Sequence, residues 1–168
     1  MFLFGKTRRR RGGGCRYGSS RKRRGGTNDL KICYNTIYVN QGSILTEELT
    51  HYEPNIELPE SITYPIVLLM VDPDAPAKPS WLHWMKVWRK KDAGADIEQY
   101  EGPSPPRDTG RKNSRGKWSH EYVFILYKGN DTMMLEAPEQ RGFFDYKEFA
   151  KKNGLKEMLR KSFKVYTK

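Results

Sequence analysis

Four short segments in the middle of the chain carry the residue types that could bind or process a charged group. They are DPDAP at 72–76, LHW at 82–84, GPSPP at 102–106 and HEYVF at 120–124. They contain two of the chain's three histidines. An imidazolium and a phenol donate hydrogen bonds to a phosphoryl oxygen, and a carboxylate can hold a histidine or accept from a protonated phosphate. Asp72, His83, His120 and Tyr122 could therefore bind one phosphoryl group if the fold brings them together.

Both turns in this region have a structural interpretation as well as a functional one. The prolines of DPDAP restrict the backbone and hold the Asp72 carboxylate in place, although that carboxylate could simply accept backbone N–H groups. In GPSPP, Ser104 supplies the one backbone N–H between residues 102 and 107. A rigid turn can present that donor to an oxygen ligand without an ordering cost, but many such turns are simple connectors.

The histidines are predicted to lie on strands. If 81–88 forms a strand, His83 shares a face with Trp81, Met85 and Val87, among large apolar side chains. Such an imidazole is either a core histidine or the polar group of a small-ligand pocket. His120 is expected to share a face with Tyr122.

Short apolar runs separated by Gly, Pro and Asn predict a mainly β fold from residue 30 onwards. Alternation predicts two strands between Leu30 and Gly42 and a last strand at 162–166. The apolar run at 64–71 predicts a strand buried on both faces that begins at Pro65, and 122–127 is similar. Asp145 and Gly154 bound the one clear helix. This arrangement favours an antiparallel, sandwich-like domain.

The first 28 residues differ from the rest in charge. Ten are Lys or Arg and none is acidic, so they carry nearly all of the net charge of +11. Rich in glycine and poor in apolar residues, this segment cannot offset its ordering entropy, which predicts a disordered basic tail at 1–28 and a folded domain at 29–168. Basic clusters at 8–11 and 21–24 suit nuclear import, binding of nucleic acid, or attraction to an acidic membrane surface.

The sequence also bears on the compartment. The apolar start is too short for a signal peptide, and no later run is long enough for a transmembrane segment. We therefore expect an intracellular protein, in the cytoplasm or the nucleus. Cys15 and Cys33 form no disulfide framework and have no metal-type spacing, so we expect reduced thiols.

Taken in this order, the four segments resemble the phosphatidylethanolamine-binding protein family, which includes the Raf kinase inhibitor proteins and the plant floral-signal proteins. The resemblance extends to residues 30–46 and 141–155. It implies an antiparallel two-sheet β fold, with one or two short helices near the C-terminus and a small anion pocket near one end.

The same resemblance implies which residues form that pocket. The family's ligand-binding positions fall on Asp72, His83, Ser104, His120 and Tyr122, and its pocket wall on Trp81 and Pro105. Family members bind phosphate-type headgroups or phosphorylated segments without established general catalysis. The resemblance thus implies no catalytic residue, metal or cofactor.

Two features depart from the family pattern. Thirteen residues, 107–119, separate the double proline from His120, where the family has a shorter connection, and five of them are basic. This loop could add positive charge beside the pocket or close its entrance. Glu121 stands where the family usually has Arg, so any salt bridge of that Arg is in question.

Three functions fit these observations. The first is noncatalytic binding of a phospholipid headgroup or phosphorylated segment, with a regulatory role towards a protein partner such as a kinase. The second is a phosphoester hydrolase that uses a metal or the His and Asp side chains. The third is a structural module of a nucleic-acid or virion assembly, docked through its tail. The sequence lacks an HExxH motif and a nucleophile elbow, which favours the first.

Overall fold

The computed structural model describes residues 29–168, whose strands form a small sheet and a large one. The small sheet contains, in order across the sheet, β2 (Ile37–Tyr38), β1 (Lys31–Tyr34) and β4 (Asn55–Glu57). The large sheet contains, in order, β3 (Ser43–Leu45), β10 (Lys156–Tyr166), β9 (Trp118–Lys128), β5 (Ile66–Asp72), β6 (Trp81–Trp88) and β7 (Gly94–Glu98). A further strand, β8 (Arg111–Lys112), pairs with the start of β9, and the helices are α1 (Glu47–Thr50) and α2 (Tyr146–Lys152).

Strand β5 lies inside the large sheet, and all seven of its residues are buried. On one face, Leu68 clusters with Ile32 of the small sheet, and on the other, Leu69 clusters with Ala150 of α2. A strand covered on both faces needs an apolar residue at nearly every position, which explains the continuous run in the sequence. The predicted mainly β fold with two sheets is confirmed.

Several predicted elements have the expected bounds, whereas β9 and β10 each begin earlier than predicted. Strand β6 spans the eight predicted residues, and β5 begins directly after Pro65. Strand β10 begins at Lys156, earlier than predicted, because its first half carries exposed, mostly charged side chains that resemble a loop. Strand β3 runs parallel to β10, so the large sheet is not wholly antiparallel. No local pattern specifies a pairing between strands so distant in sequence.

The predicted alternation of faces along β6 was wrong at His83 and at Leu82, which clusters with Met85. The register between β5 and β6 shifts between Met70 and Val71, which leaves His83 as the extra residue of a β-bulge. Its ring therefore lies against Tyr122, on the side of the small sheet, whereas Met85 packs on the side of α2. The bulge redirects the imidazole to the site described below.

The predicted helix is confirmed together with its caps. The Asp145 carboxylate accepts from the backbone N–H groups of Lys147 and Glu148, and Gly154 follows the helix at φ +63°. The helix α1 was not predicted, since it has a single turn, capped by Thr46.

Three further expectations can be placed against the structure. Among residues 29–168, no helix is long and apolar enough to cross a membrane. The expectation of reduced thiols was wrong for Cys33, which is disulfide-bonded. The predicted disorder of the tail, and Cys15 with it, lie outside the described residues.

Candidate functional site

A cavity of about 300 Å³ opens where β5 ends and β6 begins. It is lined by the DPDAP turn, the start of β6 and the proline-rich turn: Asp72, Ala75, Pro76, Ala77, Trp81, His83, Glu101, Gly102, Ser104 and Pro106. Four of the seven residues expected from the family resemblance are thus in the lining. Pro105 is buried and is not among the lining residues, whereas Pro106 lines the cavity. Two further expected residues, His120 and Tyr122, lie buried behind this surface.

The Asp72 carboxylate is held on both oxygens. Its Oδ1 accepts from the backbone N–H of Asp74 at 2.8 Å, and its Oδ2 lies 2.6 Å from His120 Nδ1. The turn role and the histidine-holding role weighed for Asp72 therefore coexist in one side chain. Asp72 and His120 are both buried, so their contact is shielded from water.

His120 has a protein partner at each ring nitrogen. Its Nε2 lies 2.8 Å from the Thr109 hydroxyl, which donates to the Pro106 carbonyl at 2.6 Å, and the ring has no solvent exposure. With both nitrogens engaged, His120 is placed to fix Asp72 and the 106–109 turn. Direct contact between a ligand and this ring would require Thr109 to move.

His83 is oriented through one nitrogen and leaves the other open. Its Nδ1–H donates to the Glu101 carbonyl at 2.8 Å, and the Glu101 N–H donates to the His83 carbonyl at 2.9 Å. Within residues 29–168, Nε2 has no hydrogen-bond partner. Burial lowers the pKa of His83 below 6.5, and the Arg141 charge lowers it further. The nearby carboxylates act in the opposite direction and raise the pKa, but their effect is smaller than that of burial. The neutral ring therefore presents an acceptor lone pair at Nε2.

Tyr122 lies between the two histidines. Its ring centroid is 5.1 Å from that of His83, edge to face, and 6.4 Å from that of His120, nearly stacked. Burial, followed by the negative charge of Asp72, raises the pKa of the Tyr122 phenol well above 10. The phenol therefore stays protonated and can donate a hydrogen bond.

The long loop after the double proline forms an ordered hairpin. Strand β8 pairs with the first residues of β9, and Asn113 accepts from the backbone N–H groups of Arg115 and Lys117. At the base, Arg111 contacts Asp74 at 2.9 Å and Glu121 at 3.2 Å. Glu121, which replaces the family's usual Arg, thus has a basic partner supplied by the hairpin itself.

Comparisons with known proteins agree with this geometry. The family model described as "Phosphatidylethanolamine-binding protein" matches residues 38–164, which include all four segments around the cavity. The chain belongs to the phosphatidylethanolamine-binding protein family. Its two departures from the family pattern, the basic hairpin and Glu121, both lie inside the matched region.

Relatives of this family member come from distant organisms. "Putative odorant-binding protein A5" of Drosophila melanogaster is 30% identical over 142 residues, which cover 73% of this chain and 62% of that protein. The chain therefore spans less than two thirds of that relative. "Protein FLOWERING LOCUS T" of Arabidopsis thaliana is 29% identical over 131 residues, covering 72% and 69%. The phosphatidylethanolamine-binding protein of Plasmodium vivax has a TM-score of 0.63 at 24% identity, covering 83% and 85%, and so supports the shared fold.

Two residues of this family member's site were missed by the sequence reasoning. Thr109 contacts His120, and Arg141 donates to the Leu82 and His83 carbonyls at 3.2 and 3.1 Å. Arg141 also contacts Glu98 at 2.6 Å and Glu101 at 3.2 Å. Arg141 thereby connects the bulge that carries His83 to Glu101, whose carbonyl accepts the hydrogen bond from the His83 ring. No local pattern links Arg141 to a strand 58 residues earlier.

Gly110 offers a test of how tightly the hairpin covers His120. Its φ is +84°, and a Cβ there would overlap the Ser119 carbonyl and the His120 ring. We expect Gly110→Ala to lower the free energy of unfolding by about 2 kcal/mol, through backbone strain plus overlap. Gly42→Ala is the matched control, because Gly42 has φ +74° with no atom within 4 Å, and should cost about 1 kcal/mol. If urea unfolding gives equal losses of unfolding free energy for both variants, the hairpin can move away from His120 without a measurable cost.

Proposed function

We propose that this chain binds a phosphate-type anion, a phospholipid headgroup or a phosphorylated segment, in the cavity without catalysing a reaction, and so regulates a protein partner. One observation carries the proposal: two polar groups, His83 Nε2 and the Ser104 N–H, have no partner among residues 29–168 and lie in a mostly apolar lining. A phosphate oxygen would accept from the Ser104 N–H directly, and from His83 Nε2 once that nitrogen is protonated. The volume of about 300 Å³ suits a headgroup rather than a large substrate.

The surrounding contacts support binding over chemistry. The general base of a hydrolase would need a nitrogen or carboxylate free to accept a proton from water. His120 and Asp72, the residues that the hydrolase alternative would use, are instead bonded to each other and to the flanking turns. His83 Nε2 is free, but the other ring nitrogen donates to a backbone carbonyl and not to a carboxylate that would stabilise the protonated base. Among the described residues, no group of three or more His, Cys, Asp or Glu could hold a metal. Turnover of a phosphoester that is lost in His120→Gln would support the hydrolase alternative.

Proton coupling gives a specific test of His83. In the free protein its pKa lies below 6.5, and an anion at Nε2 would stabilise the charged ring and raise that pKa. Binding therefore takes up a proton, and affinity should rise as the pH falls from about 7.5 towards the pKa of the free protein. Below that pKa the ring is already charged and the rise should stop.

The measurement is calorimetric titration with glycerophosphoethanolamine across this pH range. The probe is a phosphodiester, so its single negative charge does not change. In His83→Gln the affinity should be nearly independent of pH, since a glutamine amide does not titrate. A wild-type affinity that stays flat or falls on acidification would contradict the role given to Nε2.

The third alternative concerns the basic tail, which lies outside the described residues. We propose that residues 1–28 add a sequence-independent attraction to polyanions, with a cytoplasmic or nuclear location. Removing 1–28 should abolish binding to RNA or acidic surfaces while leaving titration with glycerophosphoethanolamine unchanged. Loss of headgroup binding on truncation would show that the tail contributes to the pocket.

A further inference from the structure

Phe143 has an unusual combination of conformation and exposure. Its φ is +59°, a left-handed backbone conformation that bulky residues rarely adopt, and 63% of the residue is exposed to solvent. The positive φ costs backbone free energy, and the exposed ring leaves apolar surface in contact with water. Strain of this kind persists where the surrounding structure enforces it, and it is concentrated at functional sites.

Backbone hydrogen bonds on both sides enforce this conformation. The Leu82 N–H donates to the Arg141 carbonyl at 2.8 Å, and the Phe144 N–H donates to the Ser80 carbonyl at 3.0 Å. The Ser80 hydroxyl also donates to the Phe144 carbonyl. Residues 142 and 143 are therefore the top of a short, pinned loop. The Phe143 ring extends from this loop, with 63% of the residue exposed to solvent.

This loop lies at the rim of the cavity. A Cβ on Gly142 would be 3.1 Å from the Ala77 side chain and 3.3 Å from the Trp81 ring, and both of those residues line the cavity. Phe143 is the next residue in the chain. Its exposed ring therefore lies close to the apolar side of the cavity rim.

The hairpin at residues 107–119 brings positive charge to the DPDAP turn of the cavity. The hairpin is fastened through Arg111 to Asp74, between two lining residues of the DPDAP turn. Its four other cations, Arg107, Lys112, Arg115 and Lys117, have no salt-bridge partner among residues 29–168, although Lys112 and Lys117 lie over aromatic rings. An exposed aromatic ring and a cation-rich hairpin, each joined to a turn that lines the cavity, match the chemistry of an acidic lipid surface, where rings insert among acyl chains and cations meet headgroups.

We propose that Phe143 inserts into a lipid bilayer whose headgroup phosphate occupies the cavity. This inference rests on the proposed anion binding and selects a lipid as its source. A lipid whose phosphate lies in the cavity must carry its acyl chains out through the apolar mouth, past Trp81 towards Phe143. A free headgroup offers nothing to cover an exposed aromatic ring.

The test is sedimentation of the full chain with vesicles of phosphatidylcholine and phosphatidylserine. Phe143→Ser should weaken vesicle binding about tenfold, the contribution expected for one inserted aromatic ring. The matched control is Met134→Ser, since Met134 is 84% exposed and its loop contacts Arg89, beyond the opposite end of β6. The measurement is made at raised salt, because salt weakens the attraction between the basic tail and the vesicles, which is common to all variants. Phe143→Gly, which tolerates positive φ, should match Phe143→Ser in binding while unfolding no more easily than the wild type.

A second titration separates this inference from the function on which it rests. Phe143→Ser should bind soluble glycerophosphoethanolamine as the wild type does. Unchanged vesicle binding in Phe143→Ser would overturn the insertion while leaving headgroup binding intact. An equal loss towards a soluble phosphorylated peptide would assign Phe143 to a protein partner and also overturn it. Failure of the wild type to bind the soluble headgroup would instead reject the proposed function itself.

Discussion

Replacing Asp72 by alanine should lower the free energy of unfolding by about 3 kcal/mol, as expected when a buried hydrogen-bond partner is removed and the groups bound to it are left unsatisfied. The carboxylate accepts at 2.8 Å from the Asp74 N–H, and it lies 2.6 Å from His120 Nδ1. His120 has no solvent exposure, so water cannot replace the lost partner. Urea unfolding monitored by tryptophan fluorescence measures the change.

Two variants distinguish the stability lost with the buried contact from any stability lost by removing an acidic residue in general. Asp72→Asn keeps the shape and one acceptor oxygen, so it should lose less stability than Asp72→Ala. Asp131→Ala removes an exposed acid and should change stability by less than about 0.5 kcal/mol. If Asp72→Ala resembles Asp131→Ala, the contact with His120 does not hold the turn.

Replacing His83 by glutamine should weaken binding of glycerophosphoethanolamine about 10- to 100-fold at pH 6. The imidazolium can donate a charge-assisted hydrogen bond to the phosphate, which contributes roughly 1.5–3 kcal/mol. Glutamine can keep the hydrogen bond to the Glu101 carbonyl, but it then presents an amide oxygen to the anion. Calorimetric titration gives the affinity of both proteins.

His51→Gln is the matched control, because His51 is exposed and is not among the residues that line the cavity. It should bind the probe as the wild type does. Wild-type affinity in both His83→Gln and His51→Gln would show that the anion binds elsewhere, for which the basic tail is the first candidate. A loss of similar size in both variants would point to a general effect of imidazole charge.

The sequence predicted best those elements that local patterns specify. The apolar run of β5 and the Asp145 cap of α2 are local signals, and each has the expected place in the structure. The β-bulge at His83 depends on how β6 pairs with β5, and a one-residue shift changes the face of a side chain without changing any local pattern. Strict alternation was therefore the best local prediction, and it was wrong there.

Four of the seven residues that the family resemblance indicated line the cavity, but the contacts between side chains could not be predicted. The family resemblance brought Asp72, His83 and Ser104 together, and all three line the cavity. It did not indicate that Thr109 engages His120, because that contact depends on how the 106–110 turn folds. It also gave no indication of Phe143, whose exposure and positive φ follow from hydrogen bonds between distant segments.

The central claim is best tested by nuclear magnetic resonance, since a labelled protein reports each residue separately and so distinguishes the cavity from the tail. Glycerophosphoethanolamine is titrated into the full chain while the Ser104 amide and the His83 imidazole nitrogens are followed. The account predicts saturable shifts of both groups with one common dissociation constant, and a change of His83 Nε2 from acceptor to donor. Shifts confined to residues 1–28, or none at Ser104 and His83 at saturating probe, would contradict it.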